Sequence, residues 1–262
     1  MPQRIIERDG PVVTLTLNGP EARDAFDLGM LACLADAWVM IDEDPALRVT
    51  SRRGSDGTFC AGADHKAMCS EHGSGPWKQR FLGDPERAWK AMLRNYRPRK
   101  PMIAAVDGYC VAGGMELLQG TDIRVASESG HFGLTEARGS LFPRRGSTGR
   151  LKKQIPYTKA MEILLSGEPI DDAEALQWGL TGRVVPADSV QTEARRSPGR
   201  IAENGPLAVQ AIKRSVQETE GISEEEGLKP ELETGQPFFS PRDAREGSRA
   251  FTEKRKPNFL GR

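Results

Sequence analysis

The sequence predicts an α/β core followed by a helical C-terminal region. Three observations carry this prediction. β-branched runs alternate with stretches of helical periodicity as far as residue 126, glycine turns separate them, and after Ile155 the strand-like runs give way to successive helical segments. At 262 residues the chain is long enough for one large domain, or for a core with a smaller appended piece.

The elements follow in order. After Met1-Pro2-Gln3-Arg4 the chain moves directly into strand-like sequence, and Val12–Leu17 reads as a strand closed by the turn Asn18-Gly19-Pro20. Asp24 or Asp27 then caps a helix, whose apolar positions Leu31, Ala32, Ala35, Trp38 and Val39 recur at helical spacing until Asp44-Pro45 stops it. The strand at residues 48–53 is unusually polar. Residues 70–83 are rich in Gly, Ser and charge and read either as a loop over a site or as an ordinary surface loop. Residues 85–96 place Trp89, Met92, Leu93 and Tyr96 on one helical face. Met102–Val106 is a strand, followed by a glycine turn, a short helix at about 114–119 and a strand at 123–126. Beyond Ile155, helices are expected at 157–165, 172–178, 187–203, 206–219 and 223–235, punctuated by Gly, Pro or acidic caps.

Charge excludes several functions. The 37 basic residues balance the 37 acidic ones, so no global field draws the chain to nucleic acid or a membrane surface, and any anionic ligand must be held locally. No apolar run approaches the roughly 18 residues that span a bilayer, and no signal-peptide core follows Met1, so a cytoplasmic protein is expected. The four cysteines, Cys33, Cys60, Cys69 and Cys110, show no small-framework spacing, and disulfides are not expected. Cys60, His65, Cys69 and His72 have gaps resembling a zinc knuckle, but the intervening Ala61-Gly62-Ala63-Asp64 is better explained otherwise, and no metal is expected. There is no Gly-x-Ser-x-Gly elbow, no phosphate-binding Gly-Lys-Ser/Thr loop and no dinucleotide fingerprint. The run Lys254-Arg255-Lys256 reads as a solvated face or a phosphate contact.

Chemistry concentrates on two glutamates twenty residues apart, Glu116 and Glu136. Glu116 lies among Met115, Leu117 and Leu118, and Glu136 follows Phe132 and Leu134. Lost hydration there should raise both carboxyl pKa values, making the pair usable as acid and base near neutrality. Two small-residue segments, 58–64 and 107–114, end in turns with open backbone N–H groups, and the second opens a helix where negative charge is favoured. Either segment alone reads as a tight connection; two converging would make an oxyanion hole.

These motifs, in this order, resemble the crotonase family, the enoyl-CoA hydratases and isomerases, over nearly the whole chain from Val12 to Phe259. The likeness rests on residues 18–25 as the first turn, 59–64 and 104–116 as the two oxyanion segments, 132–136 as the second-glutamate segment and 250–259 as the C-terminal signature. The resemblance implies a spiral of ββα turns with a helical trimerisation region, here divided as residues 1–195 and 196–262. It implies that the N–H groups of Ala63 and Gly113 hold a thioester carbonyl oxygen. Glu116 would activate a water at the β-carbon of a 2-enoyl-CoA, and Glu136 would protonate the α-carbon. Coenzyme A, as part of the substrate and the one cofactor-like group implied, would lie along Glu21, Ala22 and Arg23 and along Ala61, Asp64, His65 and Lys66. Phe251 and Lys254 would come from a neighbouring subunit of a homotrimer or dimer of trimers. The activity implied is enoyl-CoA hydration; the alternatives are an isomerase on the same scaffold or a non-catalytic acyl-CoA-binding subunit. Two departures stand out. Asp24 replaces a common asparagine, which capping would tolerate, and Arg144 occupies a stretch that in many hydratases is Pro-Gly followed by small residues near the catalytic water. There it would narrow the site, pair with Glu136 or bind a substrate carboxylate, unless it faces solvent.

Overall fold

The computed structural model describes residues 4–55, 57–64, 66, 81, 83–239 and 242–261. The expected loop at 70–83, apart from Phe81 and Gly83, lies outside these residues, as do His65, Cys69 and His72.

Among the described residues the chain forms two sheets, and from the third strand to the eighth the chain alternates between them. The larger has six strands in the order β1 (Arg4–Asp9), β2 (Val12–Leu17), β3 (Val49–Arg53), β5 (Met102–Val106), β7 (Ile123–Ser127) and β10 (Arg183–Val185). The smaller has four, in the order β4 (Thr58–Cys60), β6 (Tyr109–Val111), β8 (His131–Gly133) and β9 (Ile170–Asp171). Thus β3 and β4, β5 and β6, and β7 and β8 are successive turns of a spiral, each giving one strand to either sheet. Parallel pairing runs from β2 through β3, β5 and β7 to β10, and from β4 through β6 to β8. The first hairpin, β1 with β2, is antiparallel.

Helix α1 (Leu28–Glu43) follows the first hairpin. Asp27 caps it, accepting from the Met30 amide at 2.6 Å. Its buried face, with Met30, Leu34, Trp38 and Ile41, joins the main core, each large side chain contributing about 1.5–3 kcal/mol. Asp24 does not cap a helix. It is fully buried in a left-handed conformation (φ 55°) and accepts from the amides of Gly19 (2.7 Å) and Ser55 (2.5 Å) and from the Ser55 hydroxyl. An asparagine amide nitrogen cannot accept in this way, so the aspartate is specified by tertiary contacts rather than by capping.

The helix expected over 85–96 is shorter than its apolar face suggests. Helix α2 (Arg87–Ala91) ends where Leu93 turns left-handed (φ 55°), and Tyr96 continues outside it with its hydroxyl on Asp42 at 2.7 Å. The remaining helices are α3 (Gly113–Leu118), α4 (Ser147–Gln154), α5 (Tyr157–Ser166), α6 (Asp172–Gln177), α7 (Val190–Ala202), α8 (Pro206–Glu218), α9 (Glu224–Gly235) and α10 (Arg242–Thr252). Helix α7 runs unbroken through residues 195 and 196 and lies against β3, β5 and β7. The polar β3 is explained by this neighbour: Ser51 Oγ donates to Ala194 O at 3.3 Å, and Arg53 reaches Gln191 and Thr16. Arg52 is fully buried, its guanidinium stacked 3.9 Å from the centre of the Phe59 ring. No helix among the described residues is long and apolar enough to cross a membrane.

Candidate active site

The small sheet explains why the distant motifs meet. Its three strands β4, β6 and β8 are parallel; a register shift between Thr58 and Cys60 brings Cys60 opposite Cys110, which lies opposite Phe132, so their carboxyl ends lie side by side. Ligand clefts in α/β sheets form at such ends. Immediately beyond them come Gly62-Ala63, Ala112-Gly113 and Leu134-Thr135-Glu136.

The first two segments touch. A Cβ on Gly62 (φ +94°) would lie 2.8 Å from the Ala112 Cβ and 3.1 Å from the Gly113 nitrogen, so only glycine permits this approach. Phe26 fixes the segment from the other side, its amide donating to Gly62 O (2.6 Å) and its carbonyl accepting from Asp64 (3.0 Å). Ala112 is held at φ 47°, ψ −124°, a region that L residues avoid and that recurs at functional sites. Its amide is tied to Gly133 O at 2.8 Å. That turn leaves Gly113 at the first position of α3, and among the described residues no acceptor takes the N–H of Ala63 or of Gly113. The sequence marked both segments; the strain at Ala112 is visible only in three dimensions.

Glu116 stands one turn into α3, only 1% exposed, with Met115, Leu117 and Leu118 buried around it. Burial, and then the neighbouring Glu136, push its pKa up from the ordinary 4.5 to about 7, against the opposing pull of the Arg145 amide and guanidinium and the Ser147 amide. Burial likewise raises Glu136, again opposed by Arg145. Glu136 lies in a short 3-10 turn, Thr135–Gly139, and its Oε2 is buried without a hydrogen-bond partner among the described residues. Both carboxyls therefore have the raised proton affinity that their sequence neighbours suggested.

The arginine that meets this pair is Arg145, not Arg144. Arg144 is exposed, with its guanidinium 5.4 Å from the centre of the Trp89 ring, and makes no ion pair with Glu136. The Arg145 amide donates to Glu116 Oε1 at 2.7 Å, and its Nη1 lies 3.9 Å from Glu116 Oε2. Adjacent arginines in a loop give no periodicity from which to choose between them. Helix α4 secures the loop, since Ser147 Oγ accepts from Gln119 Nε2 at 2.9 Å at the end of α3.

The other expected site residues divide into two groups. Glu21 and Ala22 form a 3-10 turn with Pro20, and Arg23 O accepts from the Ala61 amide at 3.0 Å, so this turn borders the first amide segment. Arg23 and Lys66 are exposed. Phe251 and Lys254 lie at the end of α10, exposed, and no hydrogen bond or ion pair among the described residues joins them to the glutamates. His65 lies outside the described residues. Of the zinc-knuckle quartet only Cys60 is described, a buried free thiol with its pKa pushed up to about 11 by burial; no group of metal ligands occurs among the described residues.

Comparison with known proteins identifies the family. The family model for enoyl-CoA hydratase/isomerase matches residues 7–262. The enoyl-CoA hydratase EchA19 of Mycobacterium tuberculosis is 46% identical over 261 residues, covering 100% of this chain and 97% of that protein. A crystal structure of an enoyl-CoA hydratase from Mycobacterium tuberculosis H37Rv is similar with a TM-score of 0.91 at 33% identity, over 100% of both chains. That of the enoyl-CoA hydratase EchA1 from Mycobacterium marinum has a TM-score of 0.90 at 33% identity, again over 100% of both. With a ββα spiral, two open amides and a carboxylate pair at adjacent strand ends, the chain belongs to the enoyl-CoA hydratase/isomerase family, the crotonase family.

Proposed function

We propose that this protein is an enoyl-CoA hydratase, a lyase that adds water across the double bond of a 2-enoyl-CoA thioester. The observation that carries the reading is two carboxyls of raised proton affinity beside two touching segments whose Ala63 and Gly113 N–H groups have no acceptor among the described residues. The amides of Ala63 and Gly113 bind the thioester carbonyl oxygen. Negative charge grows there as water adds, so fixed donors lower the barrier more than they tighten substrate binding. Glu116 removes a proton from the attacking water, whose oxygen bonds to the β-carbon, and Glu136 delivers a proton to the α-carbon. The two carboxyls are coupled, since Glu136 adds to the raised proton affinity of Glu116.

Coenzyme A lies along Glu21, Ala22, Arg23, Ala61, Asp64, His65 and Lys66, with no separate cofactor. Arg23 and Lys66 offer local charge for phosphates on a chain without net charge. We place the active protein in the cytoplasm as a homotrimer or dimer of trimers, with the region after residue 195 supplying the contacts. Phe251, 88% exposed, and Lys254 reach a neighbour's coenzyme A. Helices α8 and α9 flank an apolar cavity of about 350 Å³ that includes Ala208, Ile212, Val216 and Phe238, a surface suited to self-association.

The test is the loss of conjugated-thioester absorbance with crotonyl-CoA and longer analogues. Wild type should turn over and Glu116→Gln should not, while both retain acyl-CoA binding. Equal inactivity of the two across a chain-length series, with binding intact, rejects the reading.

A further inference from the structure

Arg145 places a cation where the fold does not need one. Its backbone amide already positions Glu116, and that contact requires no particular side chain. The side chain is nevertheless only 16% exposed, with Nη1 3.9 Å from Glu116 Oε2, beyond hydrogen-bond reach. On its other flank the same Nη1 lies 3.2 Å from where a Cβ on Gly113 would stand, and Gly62 Cα is 3.5 Å from that point. The guanidinium thus borders the carboxylate pair and both amide segments at once, and among the described residues its N–H groups have no hydrogen-bond acceptor. The neighbouring arginines differ in this respect: Arg144 rests over Trp89, and Arg150 donates to Leu93 O.

A neutral alkenyl chain laid against this group would strip water from its donors and return nothing. A carboxylate would supply two acceptors in the planar geometry a guanidinium matches. We infer that Arg145 forms an anion subsite within the cleft, and that the substrate is a 2-enoyl-CoA whose acyl chain carries a carboxylate one or two carbons beyond the β-carbon. The reaction step rests on the hydratase reading above; the subsite itself is a binding property and is tested separately. That distance follows from the position of the guanidinium beside Glu116, the residue proposed to hold water at the β-carbon.

The experiment compares glutaconyl-CoA with neutral 2-hexenoyl-CoA in wild type, Arg145→Gln and Arg145→Lys. Binding of the saturated analogues glutaryl-CoA and hexanoyl-CoA is measured in parallel by calorimetry. Wild type should favour glutaconyl-CoA in kcat/KM, and Arg145→Gln should lower the ratio of the two substrates by about 10- to 100-fold, the scale of a charge-assisted hydrogen-bonded pair. Arg145→Lys, which keeps the charge without the fork, should fall between and controls for folding. A wild-type preference for 2-hexenoyl-CoA, or an unchanged ratio in Arg145→Gln, overturns the subsite even if hydration is robust. Arg145-dependent preference for glutaryl-CoA without hydration of either substrate would uphold the subsite and reject the hydratase reading.

Discussion

Glu116 and Glu136 are driven toward the protonated form by the same cause, burial, yet they are held in opposite ways. Glu116 belongs to a helix whose side chains are all buried, and one of its oxygens is pinned by the Arg145 amide at 2.7 Å. Glu136 belongs to a short turn whose following residues Ala137, Arg138 and Gly139 are exposed, and its Oε2 has no partner among the described residues. Proton affinity and positional rigidity are therefore separable. Desolvation sets the first at both sites, whereas the second differs: the Arg145 and Ser147 amides of another loop hold Glu116, and only its own amide holds Glu136. Under the roles proposed above, a carboxyl pinned by a neighbouring loop suits the aiming of water, and one held by its own amide suits proton delivery to the α-carbon.

The sharpest way to break this contrast is to neutralise each carboxyl in turn. Glu116→Gln should lower kcat by about 10⁴-fold, the upper end for loss of a general base. Its stability should move the other way. Between the unfolded pKa near 4.5 and the folded value of about 7, the folded chain keeps a proton that the unfolded chain has lost. The stability contributed by this group therefore falls as pH rises through that window, by about 1.4 kcal/mol for each pH unit crossed. Denaturation profiles of Glu116→Gln and wild type should coincide near pH 4, diverge between about pH 4.5 and 7 and stay apart above it, the variant being more stable; coincidence at pH 8 would contradict the buried-carboxylate reading.

Gly62→Ala tests the amides rather than the carboxyls. The added Cβ meets Ala112 and the Gly113 nitrogen and also demands a strained φ, so the two donors must separate. A fall in kcat of about 10³-fold is expected, with raised proton affinity of the carboxyl pair retained in the pH profile. Glu136→Gln should cost less, about 10²-fold, and should shift the limb of kcat/KM near pH 7 downward, because Glu136 is the second cause of the raised Glu116 pKa. A limb that stays in place would show that the two are not coupled. Arg144→Ala should change turnover less than twofold and stability by about 0.5–1 kcal/mol through the lost contact with Trp89; a large catalytic loss would return Arg144 to the site.

Local pattern was enough for the elements with many alternations or turns of helix. Val12–Leu17, Met102–Val106 and α1 appear at the expected positions. The strands of the small sheet are two or three residues long, too short for a period to register, and helix α4, with only Ser147 and Leu151 buried, has a weak apolar face. The apolar face at 85–96 suggested more helix than exists because burial there is achieved by a left-handed turn at Leu93.

The sequence by itself determined the kinds of groups available: two carboxyls beside apolar residues, two glycine-rich turns and a neutral chain with an α/β core. These follow from composition and near-neighbour spacing, which desolvation and helix capping translate directly. Only the tertiary structure decided which groups meet. The adjacent carboxyl ends of β4, β6 and β8 bring residues 62–63, 112–113 and 136 together, the buried Asp24 is fixed by Gly19 and Ser55, and Arg145 rather than Arg144 faces Glu116. The reason is that parallel strand pairing and loop direction depend on contacts far apart in the chain, so a single step along the backbone reverses which side chain enters the cleft.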